Sequence, residues 1–231
     1  MTAAEPVRVE TPHGGVSALW LDPPGADRVY LLAHGAGAGM THSFMAAMAL
    51  AFAEAGVATL RYQLPYMEAR SGRPDSPAVA TAAVRAAAGV AERLAAGRPL
   101  FAGGKSFGGR MTSTAQAEMP LAGCLGLVFL GFPLHPAKRP ATSRAQHLRQ
   151  VRVPMLFLQG TRDELAETDL IRGVVAGLPE TATLHEIDGA DHAFAVLKRT
   201  GRTGQEIIVE LARVASDWMR SVAGGSARLP V

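Results

Sequence analysis

The sequence predicts an α/β fold in which helices cover both faces of a mostly parallel central sheet. Apolar runs of strand length alternate with helical patterns along most of the chain, and this alternation is typical of parallel strands joined by helices. The run Arg28–Ala33 is apolar after its first residue, as expected of a strand that is buried on both faces. Two short apolar runs precede it, Val7–Val9 and Val16–Leu21, and the Pro-His-Gly-Gly sequence between them predicts a leading antiparallel hairpin.

The remaining elements follow from the same signals. Further strands are predicted at Val57–Tyr62, Leu100–Ala102, Gly126–Leu130, Met155–Leu158 and Thr183–Ile187. Helices are predicted at Ser43–Ala55, Asp75–Ala96, Phe107–Glu118, Leu165–Leu178 and Thr203–Val222, with glycine directly after the first two. The connection Gly131–Val151 is the one long irregular segment, so most of it is expected on the surface, and it is too short for a large lid domain.

Length and composition favour one domain. The chain has 231 residues, of which 48% are hydrophobic and 19% charged, which supports a sizeable core and excludes general disorder. We expect a single domain over residues 1–222 and a mobile tail over residues 223–231. The formal net charge is only +3 and its arginines are spread along the chain, so neither nucleic acid nor membrane binding is predicted.

Cysteine usage and the first residues bear on location. Cys124 is the only cysteine, so no internal disulfide can form, and a reducing compartment is favoured. Its apolar neighbours indicate an inert buried thiol rather than a nucleophile. The first residues lack a basic flank followed by an apolar stretch. The protein is therefore predicted to be cytoplasmic, as a monomer or small homo-oligomer.

The candidate nucleophile is Ser106. It stands in Gly104-x-Ser106-x-Gly108, directly after a predicted strand and directly before a predicted helix. This is the context of a nucleophile elbow, where a serine lies on a sharp strand-to-helix turn beside the unpaired N–H groups of the helix. Gly104-Lys105-Ser106 also matches the end of a phosphate-binding loop, but the first glycine of that motif would fall at Pro99. Lys105 is instead expected to be tied to neighbouring backbone or to a carboxylate.

A serine hydroxyl needs a base, and the base needs a group that orients it. His192 follows the last predicted strand, and Asp163 follows the strand Met155–Leu158. Because the carboxyl ends of parallel strands share one edge of the sheet, both are expected near Ser106. Asp188 and Asp191 are rivals of Asp163, but they lie in the loop of the histidine itself and are expected to cap it.

The order Ser, Asp, His in these settings resembles the α/β-hydrolase fold. More narrowly, the chain resembles small dienelactone-hydrolase-like serine hydrolases, in a branch that includes a eukaryotic chromatin-complex subunit. The matching segments begin with His34-Gly-Ala-Gly-Ala-Gly39 and Gly104-Lys-Ser-Phe-Gly-Gly109; the others are Gly131-Phe-Pro-Leu-His-Pro136, Gln159-Gly-Thr-Arg-Asp163 and Asp191-His192. The resemblance implies Ser106 as nucleophile, His192 as general base and acid, and Asp163 as its partner. Phe107 departs from the methionine expected there, and its ring is expected to narrow the pocket.

An oxyanion hole is expected from two backbone N–H donors. Phe107 N–H follows the nucleophile directly, and Ala36 N–H is the predicted second donor, with Gly35 as the alternative. A dinucleotide site is disfavoured because this loop lacks G-x-G-x-x-G spacing. His34 is expected to fix its turn by hydrogen bonding.

Three residues are predicted to bind substrate: Gly35, Tyr62 and His135. Basic residues in the connection Gly131–Val151 are either a solvated loop or an electropositive rim that selects acidic acyl groups; with His135 they are Lys138, Arg139, Arg144, His147 and Arg149. The histidines and the cysteine show no metal-ligand spacing, so neither metal nor cofactor is predicted.

The function predicted from the sequence is hydrolysis of a small-molecule carboxylic ester or thioester through an acyl-serine intermediate. Two alternatives remain at this stage. One is a catalytically silent, hydrolase-like scaffold that binds protein. The other is a different reaction at the same site, such as acyl transfer or dienelactone-type hydrolysis, although dienelactone hydrolases proper use a cysteine where this chain has Ser106.

Overall fold

One eight-stranded sheet organises residues 3–225, the part of the chain that the computed structural model describes. Its strands are β1 Glu5–Thr11, β2 Gly14–Leu21, β3 Arg28–Ala33, β4 Val57–Tyr62, β5 Leu100–Lys105, β6 Cys124–Leu130, β7 Met155–Gly160 and β8 Ala182–Ile187. Their order across the sheet is β1-β2-β4-β3-β5-β6-β7-β8. β2 pairs antiparallel with β1 and β4, and every other neighbouring pair is parallel. The predicted fold class is confirmed.

Six α-helices accompany these strands in the described part of the chain. They are α1 Ser43–Glu54, α2 Pro65–Glu68, α3 Pro77–Ala95, α4 Phe107–Glu118, α5 Thr168–Ala176 and α6 Gly204–Ala223. Short 3₁₀ segments cover Ser143–Gln150 and Lys198–Thr200. No helix between residues 3 and 225 has the length and apolar character that crossing a membrane requires.

The sheet is buried on both faces, as the continuous apolar run of β3 predicts. Leu31 of β3 belongs to a core cluster that contains residues of α3, α4 and α5. The next residue, Leu32, belongs to a second cluster that contains residues of α1 and α6. This change of face at each residue follows from the period of two in a strand. The predicted arrangement of helices on both faces is therefore observed.

The differences from the predicted elements have local causes. α2 was not predicted, because four residues starting at a proline carry no helical period. α3 begins at Pro77 rather than Asp75, since the Ser76 hydroxyl caps it by accepting from Val79 N–H. α5 begins at Thr168 rather than Leu165, because Leu165 N–H bonds to the Asp163 carboxylate instead of a helical carbonyl.

The connection Gly131–Val151 is less exposed than predicted. Phe132, Leu134 and Leu148 are buried in the core cluster that faces α3, α4 and α5. Residues 136–143 of the connection are exposed. The apolar residues at both ends therefore anchor the segment to the sheet. At the chain terminus, α6 ends at Ala223, and residues 226–231 of the predicted mobile tail lie outside the described residues.

Glycine is required where β5 turns into α4. Gly104 has a φ of +138°, and a Cβ there would lie 2.1 Å from the carbonyl oxygen of Ala33 on β3. A Cβ on Gly108 would lie 2.4 Å from the carbonyl oxygen of His34. Real Cβ atoms do not approach backbone oxygens this closely, so only glycine lets β5 and α4 pack directly against the end of β3.

We expect Gly104→Ala to lower the free energy of unfolding by about 3 kcal/mol or more, because it combines a steric overlap with an unfavourable φ. Chemical denaturation of the purified variant measures this. Gly173→Ala is the matched control: a Cβ at this mid-helix position of α5 meets no atom within 4 Å. It should raise stability by about 0.5–1 kcal/mol. Equal stability of the Gly104→Ala variant and the parent would contradict the packing described.

Candidate active site

Ser106 occupies the turn between β5 and α4 with an unusual backbone conformation. Its φ is 48° and its ψ is −114°, a combination that costs a non-glycine residue about 1–3 kcal/mol. Two backbone hydrogen bonds hold it there: Ser106 N–H donates to Leu130 O at 3.2 Å, and Arg110 N–H donates to Ser106 O at 3.0 Å. The conformation is therefore fixed from β6 on one side and from α4 on the other.

Ser106, His192 and Asp163 form one chain of hydrogen bonds. The Ser106 Oγ lies 2.8 Å from His192 Nε2, and His192 Nδ1 lies 2.6 Å from Asp163 Oδ2. The three residues follow β5, β8 and β7, so all of them lie at the carboxyl edge of the sheet. A carboxylate on Nδ1 makes that nitrogen the donor and leaves Nε2 free to accept the serine proton.

The Asp163 carboxylate is fully buried and fully engaged. Besides His192, it accepts from Gln159 Nε2 at 2.6 Å and from Leu165 N–H at 2.8 Å. Gln159 in turn accepts from Phe132 N–H through its side-chain oxygen at 2.8 Å. These contacts fix the carboxylate in the orientation that the imidazole needs, since a buried charge must be satisfied by donors on several sides.

The rival carboxylates have other partners. Asp191 Oδ1 accepts from Ala193 N–H at 2.8 Å and from Ala195 N–H at 2.9 Å, so it holds the turn that follows His192. Asp188 Oδ1 accepts from the Thr161 hydroxyl at 3.4 Å. The Asp191 and Asp188 carboxylates therefore bond to groups other than the His192 ring, and Asp163 is the carboxylate that bonds to it.

A second serine–histidine contact exists at Ser113, inside α4. Its Oγ lies 2.8 Å from His147 Nε2 but donates its proton to Arg110 O at 2.9 Å. Ser113 must then accept from the imidazole, so His147 is a donor here and not a base. Burial, aided by the positive charge of Arg110, lowers the pKa of His147 to about 4. This contact fastens the 3₁₀ segment Ser143–Gln150 to α4.

The glycine-rich loop after β3 is held beside Ser106 by His34. Leu64 N–H donates to His34 Nε2 at 3.0 Å, which leaves Nδ1 as the protonated nitrogen, donating to Gly35 O at 2.8 Å. Burial lowers the pKa of His34 to about 4, so the ring is neutral at neutral pH. The Tyr66 hydroxyl accepts from Gly37 N–H at 3.0 Å. A Cβ on Gly35 would lie 3.7 Å from the Ser106 Cβ, so this loop directly faces the serine.

Two N–H groups beside Ser106 are left without a protein acceptor. Within residues 3–225, neither Ala36 N–H nor Phe107 N–H makes a hydrogen bond. Phe107 is the first residue of α4, where N–H groups have no intrahelical partner and the helix dipole favours negative charge. The Phe107 ring lies under the Arg110 guanidinium and packs against the core instead of narrowing the cavity at Ser106.

Lys105 extends from the elbow to the His192 loop. Its ammonium donates to the backbone carbonyl oxygen of His192 and lies 4.9 Å from the centre of the Phe194 ring. Burial lowers its pKa to about 8, against the attraction of Asp163 and Asp191. The expected tie to neighbouring backbone is thus observed, and its partner is the residue that carries the candidate base.

A cavity of about 320 Å³ opens at Ser106. Gly35, Ala36 and His192 line it together with the serine, and most of its other walls are apolar. The wall residues that were not predicted from the sequence include three large apolar ones: Phe44 and Met45 at the start of α1, and Leu165 after Asp163. All three come after the carboxyl end of a strand, β3 or β7, and this position could have suggested that they line the site. Their apolar character and periodicity alone predict core positions instead.

Tyr62 and His135 do not line this cavity, which corrects the prediction that they bind substrate. The Tyr62 side chain is fully buried in the core cluster that faces α3 and α4. His135 is fully buried as well, and its ring bonds to Pro136 O and to the Glu167 carboxylate. In the described part of the chain, the basic side chains of residues 138–149 also lie outside the Ser106 cavity.

Several proteins of known structure share this architecture. A lidless α/β serine hydrolase from Xanthomonas campestris superposes with a TM-score of 0.73 at 20% identity, over 100% of this chain and 98% of the other. A dienelactone hydrolase from Anabaena variabilis also gives 0.73 at 20% identity, over 95% and 97%. Est1E from Butyrivibrio proteoclasticus gives 0.70 at 16% identity, over 95% and 99%. At these identities the similarity concerns the fold.

The sequence family is defined by a different comparison. Residues 26–220 match the family model described as an alpha/beta hydrolase domain. This range contains the strands from β3 onward, the elbow at Ser106, the His192 that bonds to this serine and the Asp163 that bonds to His192. The chain therefore belongs to the alpha/beta hydrolase domain family.

Proposed function

We propose that this protein is a serine hydrolase that cleaves a carboxylic ester or thioester through an acyl-serine intermediate. The observation that carries the proposal is the hydrogen-bond chain from Ser106 through His192 to the buried Asp163, on a serine held at positive φ. An activated serine requires a base within hydrogen-bonding reach and a group that orients the base.

In the acylation step, Ser106 Oγ attacks the carbonyl carbon while its proton passes to His192 Nε2. The carbonyl oxygen becomes an oxyanion, which the unpaired N–H groups of Ala36 and Phe107 stabilise. Collapse of the intermediate breaks the bond to the leaving oxygen or sulfur, which takes the proton from His192. Water then attacks the acyl-serine with His192 again acting as base, and Ser106 recovers its proton as the carboxylic acid departs.

Lys105 is proposed to position His192 rather than to react. Its hydrogen bond to the His192 carbonyl fixes the backbone of the base relative to the elbow, and the Phe194 ring, 4.9 Å from the ammonium, adds a cation–π contact. The cavity walls support a largely apolar acyl group. Among the described residues that line the cavity, Lys105 is the only one with a lysine, arginine or carboxylate side chain, and its ammonium is already hydrogen-bonded to His192.

A fluorophosphonate probe with intact-mass readout tests the activated serine. The folded wild type should gain one probe, and Ser106→Ala should gain none, since the probe requires both a base-activated hydroxyl and an oxyanion site. Ser113→Ala is the matched control, because it removes the other histidine-bonded serine, and it should label like the wild type. A folded wild type that stays unlabelled would favour a protein-binding scaffold instead.

Asp163→Asn should lower kcat/KM for an activated ester by about 10³–10⁴-fold, because an amide at this position favours the wrong imidazole tautomer. Asp191→Asn is the control: its side-chain oxygen can still accept from the Ala193 and Ala195 N–H groups, and activity should stay within about threefold. Steady-state kinetics of both variants decide the matter. A larger loss at Asp191 than at Asp163 would transfer the orienting role to Asp191.

Lys105→Met should lower kcat/KM by about tenfold, because the His192 carbonyl loses its donor. It should also change the dependence of stability on pH. The folded-state pKa of about 8 lies below the usual 10.5, so the unfolded chain binds more protons between these values, and the free energy of unfolding rises with pH across this window. Lys105→Met should remove a rise of about 1–3 kcal/mol.

Urea denaturation of wild type and Lys105→Met at pH 7.5 and pH 10.5 measures this difference. Lys198→Met, which removes an exposed lysine, serves as the control and should follow the wild type. Parallel pH profiles for wild type and Lys105→Met would show that the Lys105 amine is not buried as described.

A further inference from the structure

A second cavity of about 400 Å³ lies beside the cavity at Ser106. The two cavities share three wall residues, His42, Phe44 and Ala193. The Phe44 ring stacks on the Phe194 ring, with centroids 5.9 Å apart and planes 7° from parallel. A substrate group that leaves the Ser106 cavity along this aromatic wall would therefore enter the second cavity.

The second cavity lies on the histidine side of Ser106. Residues 193–195, which directly follow His192, form one wall, and Ala47 of α1 and Ile208 of α6 lie among the others. In the proposed reaction, His192 gives its proton to the leaving oxygen or sulfur, so that atom must lie against the imidazole. The alcohol or thiol part of the substrate, rather than the acyl part, then points toward this cavity.

The walls of the second cavity select an apolar occupant. Among the described residues that line it, none is a lysine, an arginine or an acidic residue, and the polar side chains are His42 and Ser43. His42 Nδ1 already accepts from Phe44 N–H at 3.3 Å as the cap of α1. Burial of alkyl or aryl surface in such a site strengthens binding by about fourfold per methylene.

We propose that this cavity is the binding site for the alcohol or thiol part of the substrate, and that the enzyme acts on esters or thioesters whose leaving group is a medium-length alkyl or an aryl group. The inference rests on the proposed function and adds the class of the leaving group. Phe44 and Ala193 are then specificity-determining residues, because they border both parts of the substrate.

The test compares methyl butyrate with hexyl butyrate, which form the same butyryl-Ser106 and differ only in the leaving alcohol. The wild type should show at least about tenfold higher kcat/KM for hexyl butyrate, from the additional buried methylenes. Methyl octanoate is the third substrate, because it moves the added length to the acyl part. Release of acid is followed by pH-stat titration for all three.

Two variants fill the second cavity. Ala47→Phe adds a ring from α1, where Ala47 is only partly buried. Gly204→Leu adds a side chain at the start of α6, where a Cβ meets no atom within 4 Å and leucine favours the helix over glycine. Leu50→Phe, on the exposed side of α1 and outside both cavities, is the control.

Both filling variants should lower kcat/KM for hexyl butyrate at least about tenfold, while methyl butyrate hydrolysis and fluorophosphonate labelling stay within about threefold of the wild type. Equal losses on both butyrates, or a loss confined to methyl octanoate, would overturn the proposal, as would a wild type without preference for the hexyl ester. If the wild type is labelled and hydrolyses methyl butyrate but does not prefer hexyl butyrate, the leaving-group site is contradicted and the hydrolase function is not. An unlabelled, inactive wild type contradicts the hydrolase function and this inference with it.

Discussion

Close backbone packing at the junction of β5 and α4 is the constraint on which the rest of the site depends. The carbonyl oxygens of Ala33 and His34 fill the space in which side chains at positions 104 and 108 would begin. With glycine at both positions, the end of β3, the end of β5 and the start of α4 approach to backbone contact. The glycine-rich loop after β3 is thereby brought beside Ser106, which itself has a positive φ.

Charge burial around His192 extends this arrangement. The Asp163 carboxylate is buried with three hydrogen-bond donors, and the half-buried Lys105 donates to the carbonyl oxygen of His192. The two opposite charges partly offset each other's desolvation cost. Burial lowers the pKa of Lys105, and the attraction of Asp163 raises it by a smaller amount. His192 is therefore fixed at two points: its ring bonds to Asp163 and its backbone carbonyl bonds to Lys105. Removing these two charges from water lowers the stability of the fold, and a loop with a purely structural role would not require them.

The amino-acid sequence predicts the fold and the grouping of Ser106, Asp163 and His192 at one edge of the sheet, because both depend on local signals. Apolar runs mark buried strands, and a residue directly after a parallel strand must lie at its carboxyl edge. The walls of the cavity do not follow from local signals. Phe44 and Leu165 have the same residue type as core positions, and only the packing of α1 and of the loop after β7 exposes them to Ser106.

Tyr62 and His135 show the opposite error. Both stand at or near strand ends and carry polar groups, which suggested substrate contacts. Tyr62 ends β4 with its side chain in the core, where the period of two along the strand directs it under α3 and α4. His135 bonds to Glu167, thirty-two residues later in the chain, and fastens the connection after β6 to the loop that carries Asp163. No motif or strand end marks His135 and Glu167 as neighbours, so the local sequence does not predict this contact.

The choice between an enzyme and a protein-binding scaffold can be argued from free energy. A strained serine and a lysine whose pKa is lowered by burial each oppose folding by an amount of order 1 kcal/mol or more. A scaffold that binds through its surface gains nothing from either of them. In this chain both occur at the elbow, at Ser106 and its neighbour Lys105, and each has a role in the proposed acyl transfer: exposure of the nucleophile and position of the base. Because these destabilising features lie together at one point of the fold, they support catalysis as the function. An enzyme gains activity from them in return for the lower stability, and a scaffold does not.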